Sequence, residues 1–299
     1  MTTTTTTTHS SDVLSLSAQA INPVSGDVPT NLTFYKAPLD GSEPYYYTFT
    51  PPAGTPSSNF GNDDQIVTIH DLRGIESGFS LDKQGFKTVP NVPSAETKFV
   101  SEEQIKSVYY SDIEAILRAT IPGIEEVVIF DHTIRRTEKN AARGPVLRVH
   151  IDQTPASGFD RVRLHVPEER VNEIIEKGTR TRIVNVWRPI NGPIRSYPLA
   201  LADSSTVDEK DLLSVKHIYA DRLGATGGVK YNAEQKWYYW SGQTPDDVLL
   251  IKCYDSDTKI GGGAEGKRGR SPHTSFKHPG TLESENTRES IEVRCLIIG

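Results

Sequence analysis

The chain has 299 residues, 35% of them hydrophobic, and a formal net charge of −6. That is enough apolar mass for one large or two small globular domains, and the acidic balance argues against a nucleic-acid binder. No run approaches the roughly 18 apolar residues of a membrane span, and the N-terminus lacks the apolar stretch of a secretory signal. Cys253 and Cys295 both lie inside apolar runs. They read as buried small hydrophobes in a reducing compartment, not as a disulfide framework. The expectation is a soluble, cytoplasmic protein.

Thr2 to Thr8 form an unbroken threonine run. Such a segment has nothing to bury, so 1–28 is expected to be a disordered tail and 29–299 one domain. From Leu32 to Val89 the chain is rich in Pro, Gly, Asn and Tyr, with short strand-like pieces such as Ile66-Val67-Thr68-Ile69. This reads as an extended N-terminal arm. Ser101-Glu102-Glu103-Gln104 is a capping-box pattern. Behind it Ile105, Val108, Tyr109, Ile113, Ile116 and Leu117 recur at helical spacing, with a break expected near Ser111. A second helix is predicted over Pro167–Lys177, with proline at its first turn and Gly178 just past its end. The other strong signals are strands: Glu126–Phe130, Leu147–Asp152, Arg182–Trp187, Val248–Tyr254 and Ser290–Ile298. Few helical crossovers separate them, so the sheet should be mainly antiparallel.

Chemistry concentrates in three separated pieces. In Leu147-Arg148-Val149-His150-Ile151-Asp152, strand alternation sends His150 and Asp152 to one face and the apolar residues to the other. An imidazole and a carboxylate one step apart can reach a single ion. A third ligand must come from elsewhere. Among the eight histidines, His273 is preferred because Arg288-Glu289-Ser290 follows it at a short interval. Two histidines and one carboxylate on one side of an iron leave the other side open for oxygen and a co-substrate. A guanidinium fork with a nearby hydroxyl, Arg288 with Ser290, suits the far carboxylate of 2-oxoglutarate. Along the last strand Arg288, Ser290, Glu292 and Arg294 share one face, and Ile291, Val293, Cys295 and Ile297 the other. Arg294 is the rival anchor, but a pair with Glu292 or another carboxylate is the favoured reading for it. A zinc hydrolase could use the same three ligands, but it would not need the Arg-x-Ser.

Several segments together resemble the fungal AsaB-type hydroxylase/desaturase family, to which gibberellin desaturases and the cephamycin methoxylation protein look related. They are Val149-His150-Ile151-Asp152-Gln153-Thr154, Val184 to Ile190, Leu249 to Ser256, Ser271 to Phe276 and Arg288 to Arg294. The resemblance runs from about Leu32 to the C-terminus, with the segments in family order. It implies a mainly β (α+β) fold, a double-stranded β-helix of the jelly-roll or cupin kind with flanking helices. It also implies Fe(II) and 2-oxoglutarate, and tailoring chemistry in secondary metabolism. The family's metal ligands would fall on His150, Asp152 and His273, which makes them the catalytic set, and its co-substrate anchor on Arg288. Two places depart from the family pattern: Gln235 before Lys236-Trp237-Tyr238-Tyr239, and Leu201-Ala202-Asp203 after Pro198-Leu199-Ala200.

Trp237-Tyr238-Tyr239-Trp240 is the densest aromatic cluster and is expected in the core, with Tyr239 a candidate for contact with substrate. Trp187 and Arg188 are further candidates, Arg188 for an acidic group. The Gly-rich, basic stretch Lys259 to Arg270 suggests a loop over the site. The sequence thus describes a dioxygenase that hydroxylates or desaturates a small molecule with O2; a homo-oligomer is compatible with it. Two rivals stand beside this reading: an iron oxygenase or isomerase that does without 2-oxoglutarate, and a catalytically silent small-molecule-binding β-barrel.

Overall fold

The computed structural model describes residues 25–136, 144–257, 269–281 and 288–299. The threonine run and residues 259–268 of the basic loop lie outside them.

Two sheets face each other. The smaller has five strands in the order β4 (Phe86–Val89), β12 (Val248–Asp255), β7 (Thr181–Pro189), β14 (Ser290–Ile298) and β5 (Glu126–Arg135), each pair antiparallel. Its central strands are buried almost throughout because both faces are covered. Alternation still sorts the two faces. Ile291, Val293 and Cys295 of β14 pack with Val184 and Val186 of β7 under a helical cover. Ile183 and Trp187 point the other way, toward Leu249, Ile251 and Leu201.

The helical cover starts at α1 (Glu102–Gln104), where the Ser101 hydroxyl accepts from the Gln104 N–H at 3.3 Å. It passes through a π turn over Ile105–Tyr109 and ends as α2 (Tyr110–Thr120). The break expected near Ser111 is absent; the irregularity comes one turn earlier. Apolar residues four apart drift by about 40° per step around a regular α-helix. The wider π turn takes up part of that drift. Ile105, Tyr109 and Ile113 are all buried as a result, while Val108 turns outward and is 36% exposed.

The larger sheet has nine strands. In chain order they are β1 (Val28–Lys36), β2 (Tyr45–Tyr47), β3 (Gly61–Asp71), β6 (His150–Ile151), β8 (Leu199–Ala202), β9 (Leu212–Ile218), β10 (Leu223–Val229), β11 (Trp237–Tyr239) and β13 (His273–Ser275). In space they run β1-β3-β11-β8-β13-β6-β10-β9-β2. Among the described strands only the β3–β11 and β2–β9 pairs are parallel. The stretch read as an N-terminal arm is woven into both sheets, supplying β1, β2 and β3 to one and β4 to the other. Two facing sheets with few helices make the expected mainly β, jelly-roll architecture.

The expected strand Leu147–Asp152 shrinks to the two residues of β6, with Arg148 bridging Thr33. It ends because a helix that the sequence reading missed, α3 (Pro155–His165), begins at once. Thr154 caps it: its hydroxyl accepts from the Ser157 N–H at 3.1 Å, and Ser157 accepts in return from the Thr154 N–H at 2.9 Å. Gly158 lets α3 settle on β12, since a Cβ there would stand 2.1 Å from the Tyr254 ring. The next helix, α4 (Glu168–Lys177), starts after Pro167 and stops at a left-handed Gly178 (φ 61°), as its proline and glycine predict.

Candidate metal centre and its two chambers

β6 and β13 are hydrogen-bonded neighbours, and His273 pairs directly with His150. Opposed residues of paired strands share a face, so the two imidazoles meet, their ring centres 4.5 Å apart. Each Nδ1 faces a backbone carbonyl two residues back: Arg148 O for His150 at 2.9 Å, Ser271 O for His273 at 3.1 Å. Donating Nδ1–H to a carbonyl leaves Nε2 with its lone pair exposed in both rings. Both Nε2 atoms face the same Asp152 oxygen, Oδ1, at 3.4 and 3.9 Å. The three ligand atoms lie within 4.8 Å of one another, and no other such group of three occurs among the described residues.

The second Asp152 oxygen is already occupied. Oδ2 accepts from Asn185 Nδ2 at 2.7 Å and from Arg294 Nε at 3.1 Å. Arg294 also donates to Glu292 at 2.6 Å and to Asp131 at 3.0 Å, so carboxylates engage it on several sides. Burial pushes the Asp152 carboxyl up, but the Arg294 charge and the His150 hydrogen bond outweigh it and hold the group well below the usual carboxylate range. Burial and the adjacent His150 ring push His273 down, which favours the neutral imidazole a metal needs. Burial also pulls on His150, but Asp152 stabilises its protonated ring and raises it overall, so a metal that takes this Nε2 displaces a proton. Two neutral nitrogens and one carboxylate oxygen on one side of a cavity are the donor set of a non-haem Fe(II) centre. By chemistry and tautomer these residues fit such an ion.

The three ligand atoms open onto a small cavity of about 40 Å³ that reaches Arg288, Trp187 and Ser275. Arg288 is 4% exposed and donates to Tyr197 O at 2.7 Å and Ser275 Oγ at 2.9 Å. Its guanidinium lies 5.4 Å from the Trp187 ring centre. Burial and the neighbouring Arg135 charge pull its pKa down to about 9, a field that an incoming carboxylate would relieve. Ser290 is buried on the same strand side but does not line this cavity.

Two expectations for substrate contact go differently. Arg188 follows Trp187 on β7, and alternation turns it to the helix side. There it donates to Tyr109 Oη at 3.0 Å and to the Val92 carbonyl at 2.8 Å, away from the cavity. Tyr239 is core: its hydroxyl donates to Gly26 O at 2.8 Å and its ring meets Phe276 edge-on. Gln235 and Leu201, where the chain departs from the family pattern, line none of the three cavities around the site.

A family model described as "YDMC: Oxidoreductase/YMDC permease-like domain" matches residues 32–298. The hydroxylase/desaturase poxK of Penicillium oxalicum is 32% identical, over 92% of this chain and 92% of its own. The Fe(II)/2-oxoglutarate-dependent dioxygenase nvfI of Aspergillus novofumigatus is 29% identical, over 90% of this chain and 96% of its own. A solved structure of the iron and alpha-ketoglutarate-dependent endoperoxidase NvfI superposes with a TM-score of 0.80 at 28% identity, covering 92% of this chain and 98% of that one. The chain belongs to the fungal hydroxylase/desaturase family of Fe(II)/2-oxoglutarate-dependent dioxygenases. The expected fold, cofactor pair and enzyme class stand with that membership.

Adjoining the small cavity this dioxygenase has a larger chamber of about 520 Å³. It shares His150, Asp152, Arg135 and Arg294 with the small cavity and is walled by Tyr35, Phe60, Phe130, Arg148 and Arg161. A further space of about 440 Å³ adjoins it past Arg161, His217 and Tyr219. Sequence reasoning missed these walls because they come from β1, β5, α3 and a loop. One signal was available: Arg148 sits two residues before His150 and so projects from the same strand face.

Proposed function

We propose that residues 29–299 act as a single cytoplasmic oxygenase domain in which His150, Asp152 and His273 hold Fe(II). The domain hydroxylates or desaturates a small-molecule intermediate of secondary metabolism and has no nucleic-acid or membrane partner. The observation that carries this is the shared aim of two Nε2 lone pairs and one carboxylate oxygen at a single point on the wall of the small cavity. When bound, Fe(II) with 2-oxoglutarate supplies the oxidant that removes hydrogen from an unreactive C–H bond.

The chain's own residues do the rest. Asn185 and Arg294 fix Asp152 so that one oxygen stays directed at the metal position. The Arg148 and Ser271 carbonyls fix both imidazole tautomers. Arg288, in the small cavity, receives the distal carboxylate of 2-oxoglutarate, with Ser275 and the Trp187 ring shaping its place. Ser290, two residues on from Arg288, is buried at the start of β14. The larger chamber holds the organic substrate and decides which C–H bond faces the oxidant. Succinate release from 2-oxoglutarate, followed in wild type and in Arg288→Ala, tests the assignment. An unchanged 2-oxoglutarate requirement in the variant would favour an oxygenase that does not place its co-substrate there.

A further inference from the structure

The larger chamber carries a charge that does not match the molecule around it. The chain is acidic overall, at −6. Yet Arg148, Arg161 and Arg294 line this chamber against two carboxylates among the described residues, Asp131 and Asp152. Arg294 already binds both, at 3.0 and 3.1 Å. Arg148 and Arg161 are held by neutral partners. Arg148 donates to Asn62 Oδ1 at 2.5 Å and lies 5.1 and 4.9 Å from the Tyr35 and Phe60 ring centres. Arg161, on α3, lies 5.8 Å from the Phe130 ring centre. Among the described residues neither forms an ion pair with a carboxylate. Arg73, Arg118, Arg170 and Arg180 elsewhere in the chain all do.

A guanidinium stacked on a ring is fixed in plane, and its N–H edge remains available for bidentate recognition of a carboxylate. Tyr35, Phe60 and Phe130 also give the chamber an apolar wall for a ligand body, with His165 stacked on Phe130 at 4.7 Å between ring centres. At about 520 Å³ the chamber falls within the range of small-molecule sites.

Resting on the iron assignment above, we propose that the larger chamber selects an acidic substrate. Its flat apolar body lies against Tyr35, Phe60 and Phe130, and its carboxylate is held by Arg161 and Arg148. This is a second anion site, separate from Arg288 in the small cavity, and it takes the acid-binding role expected of Arg188.

The test uses the protein loaded with Fe(II) and saturating 2-oxoglutarate without oxygen, titrated calorimetrically with 2-naphthoate and with 2-naphthamide. Naphthoate should bind at least roughly tenfold more tightly than the amide, and the advantage should shrink with added salt. Arg161→Gln and Arg148→Gln should each weaken naphthoate by roughly ten- to a hundredfold and leave the amide unchanged. Arg161→Lys should restore part of the preference. Equal affinity for the two probes, binding of neither, or a preference that survives in the double Gln variant would overturn the proposal. The visible band of metal-bound 2-oxoglutarate, read on the same samples, separates the two claims. Its absence would defeat the iron assignment; its presence with equal probe affinities would defeat only the acidic-substrate proposal.

Discussion

The five-stranded sheet is covered on both faces by continuous apolar clusters, whereas the nine-stranded sheet presents its two histidines on strands of two and three residues. Those strands are short but interior: His150 pairs with Gly228 and His273, and His273 with His150 and Leu201. Each imidazole is oriented by a backbone carbonyl two residues back in its own segment, and the carboxylate from across the gap. Asn185 and Arg294, on β7 and β14 of the well-covered sheet, grip Asp152, and Trp187 from β7 walls the small cavity. Chemistry is carried by short strands and steadied by long, buried ones. Holding a first set of groups from rigid neighbouring elements keeps them in place without lengthening the strands that bear them.

Removing a ligand should break function and spare the fold. His273→Ala and Asp152→Ala are expected to abolish iron binding and turnover, with little change in melting temperature for His273→Ala. Metal analysis and a thermal melt on the same preparation check this. The supporting side should respond the other way. Arg294→Met leaves the Asp152 and Glu292 carboxylates in the cavity without their guanidinium and should cost about 3–5 kcal/mol of stability by denaturant titration. The loss should depend on pH. In wild type the Asp152 pKa is depressed, so its contribution is in place above the ordinary carboxylate pKa of about 4 and fades only as pH falls toward the folded value. Without Arg294 burial is opposed only by the two histidines, so the depression is smaller and protonation in acid relieves part of the strain. The gap between variant and wild type should thus be widest near neutrality and narrow below about pH 4.

Smaller changes sharpen the contrast. Arg288→Ala should weaken 2-oxoglutarate binding by about 1.5–3 kcal/mol, seen as a raised half-saturation concentration with the metal still bound. Gly158→Ala forces a methyl into the Tyr254 ring and should destabilise by about 1–3 kcal/mol. Because α3 also carries Arg161, the same change should loosen the larger chamber while leaving the metal in place.

Local pattern made much of this legible. Ser290–Ile298 emerges as the strand its alternation predicts, and His150 and Asp152 come together as expected, although Asp152 lies just past the end of β6. What was hidden depended on distant pairings or on competing local signals. β13 is three residues long and exists because His273 and Leu201 pair, which no local period announces. The helix α3 was missed because its sequence carries a glycine and little apolar periodicity, and that glycine is there for contact with β12. Arg188 and Trp187 were both read as pocket residues, although adjacent strand positions face opposite ways. Had alternation been carried along β7 from Asn185, Arg188 would have been placed on the helix side. The aromatic walls of the larger chamber were not legible, since Tyr35, Phe60 and Phe130 lie far apart in the chain and meet only in the folded protein.

The most direct test of the central claim is spectroscopic. Fe(II) and then 2-oxoglutarate are added to the apoprotein without oxygen, and the visible charge-transfer band of a chelated 2-oxo acid is followed in wild type and in His273→Ala. A band that forms in wild type and is lost in the variant is the predicted result. An equal band in both, or iron that binds without any band, would contradict the assignment of His150, Asp152 and His273 as the centre that 2-oxoglutarate joins.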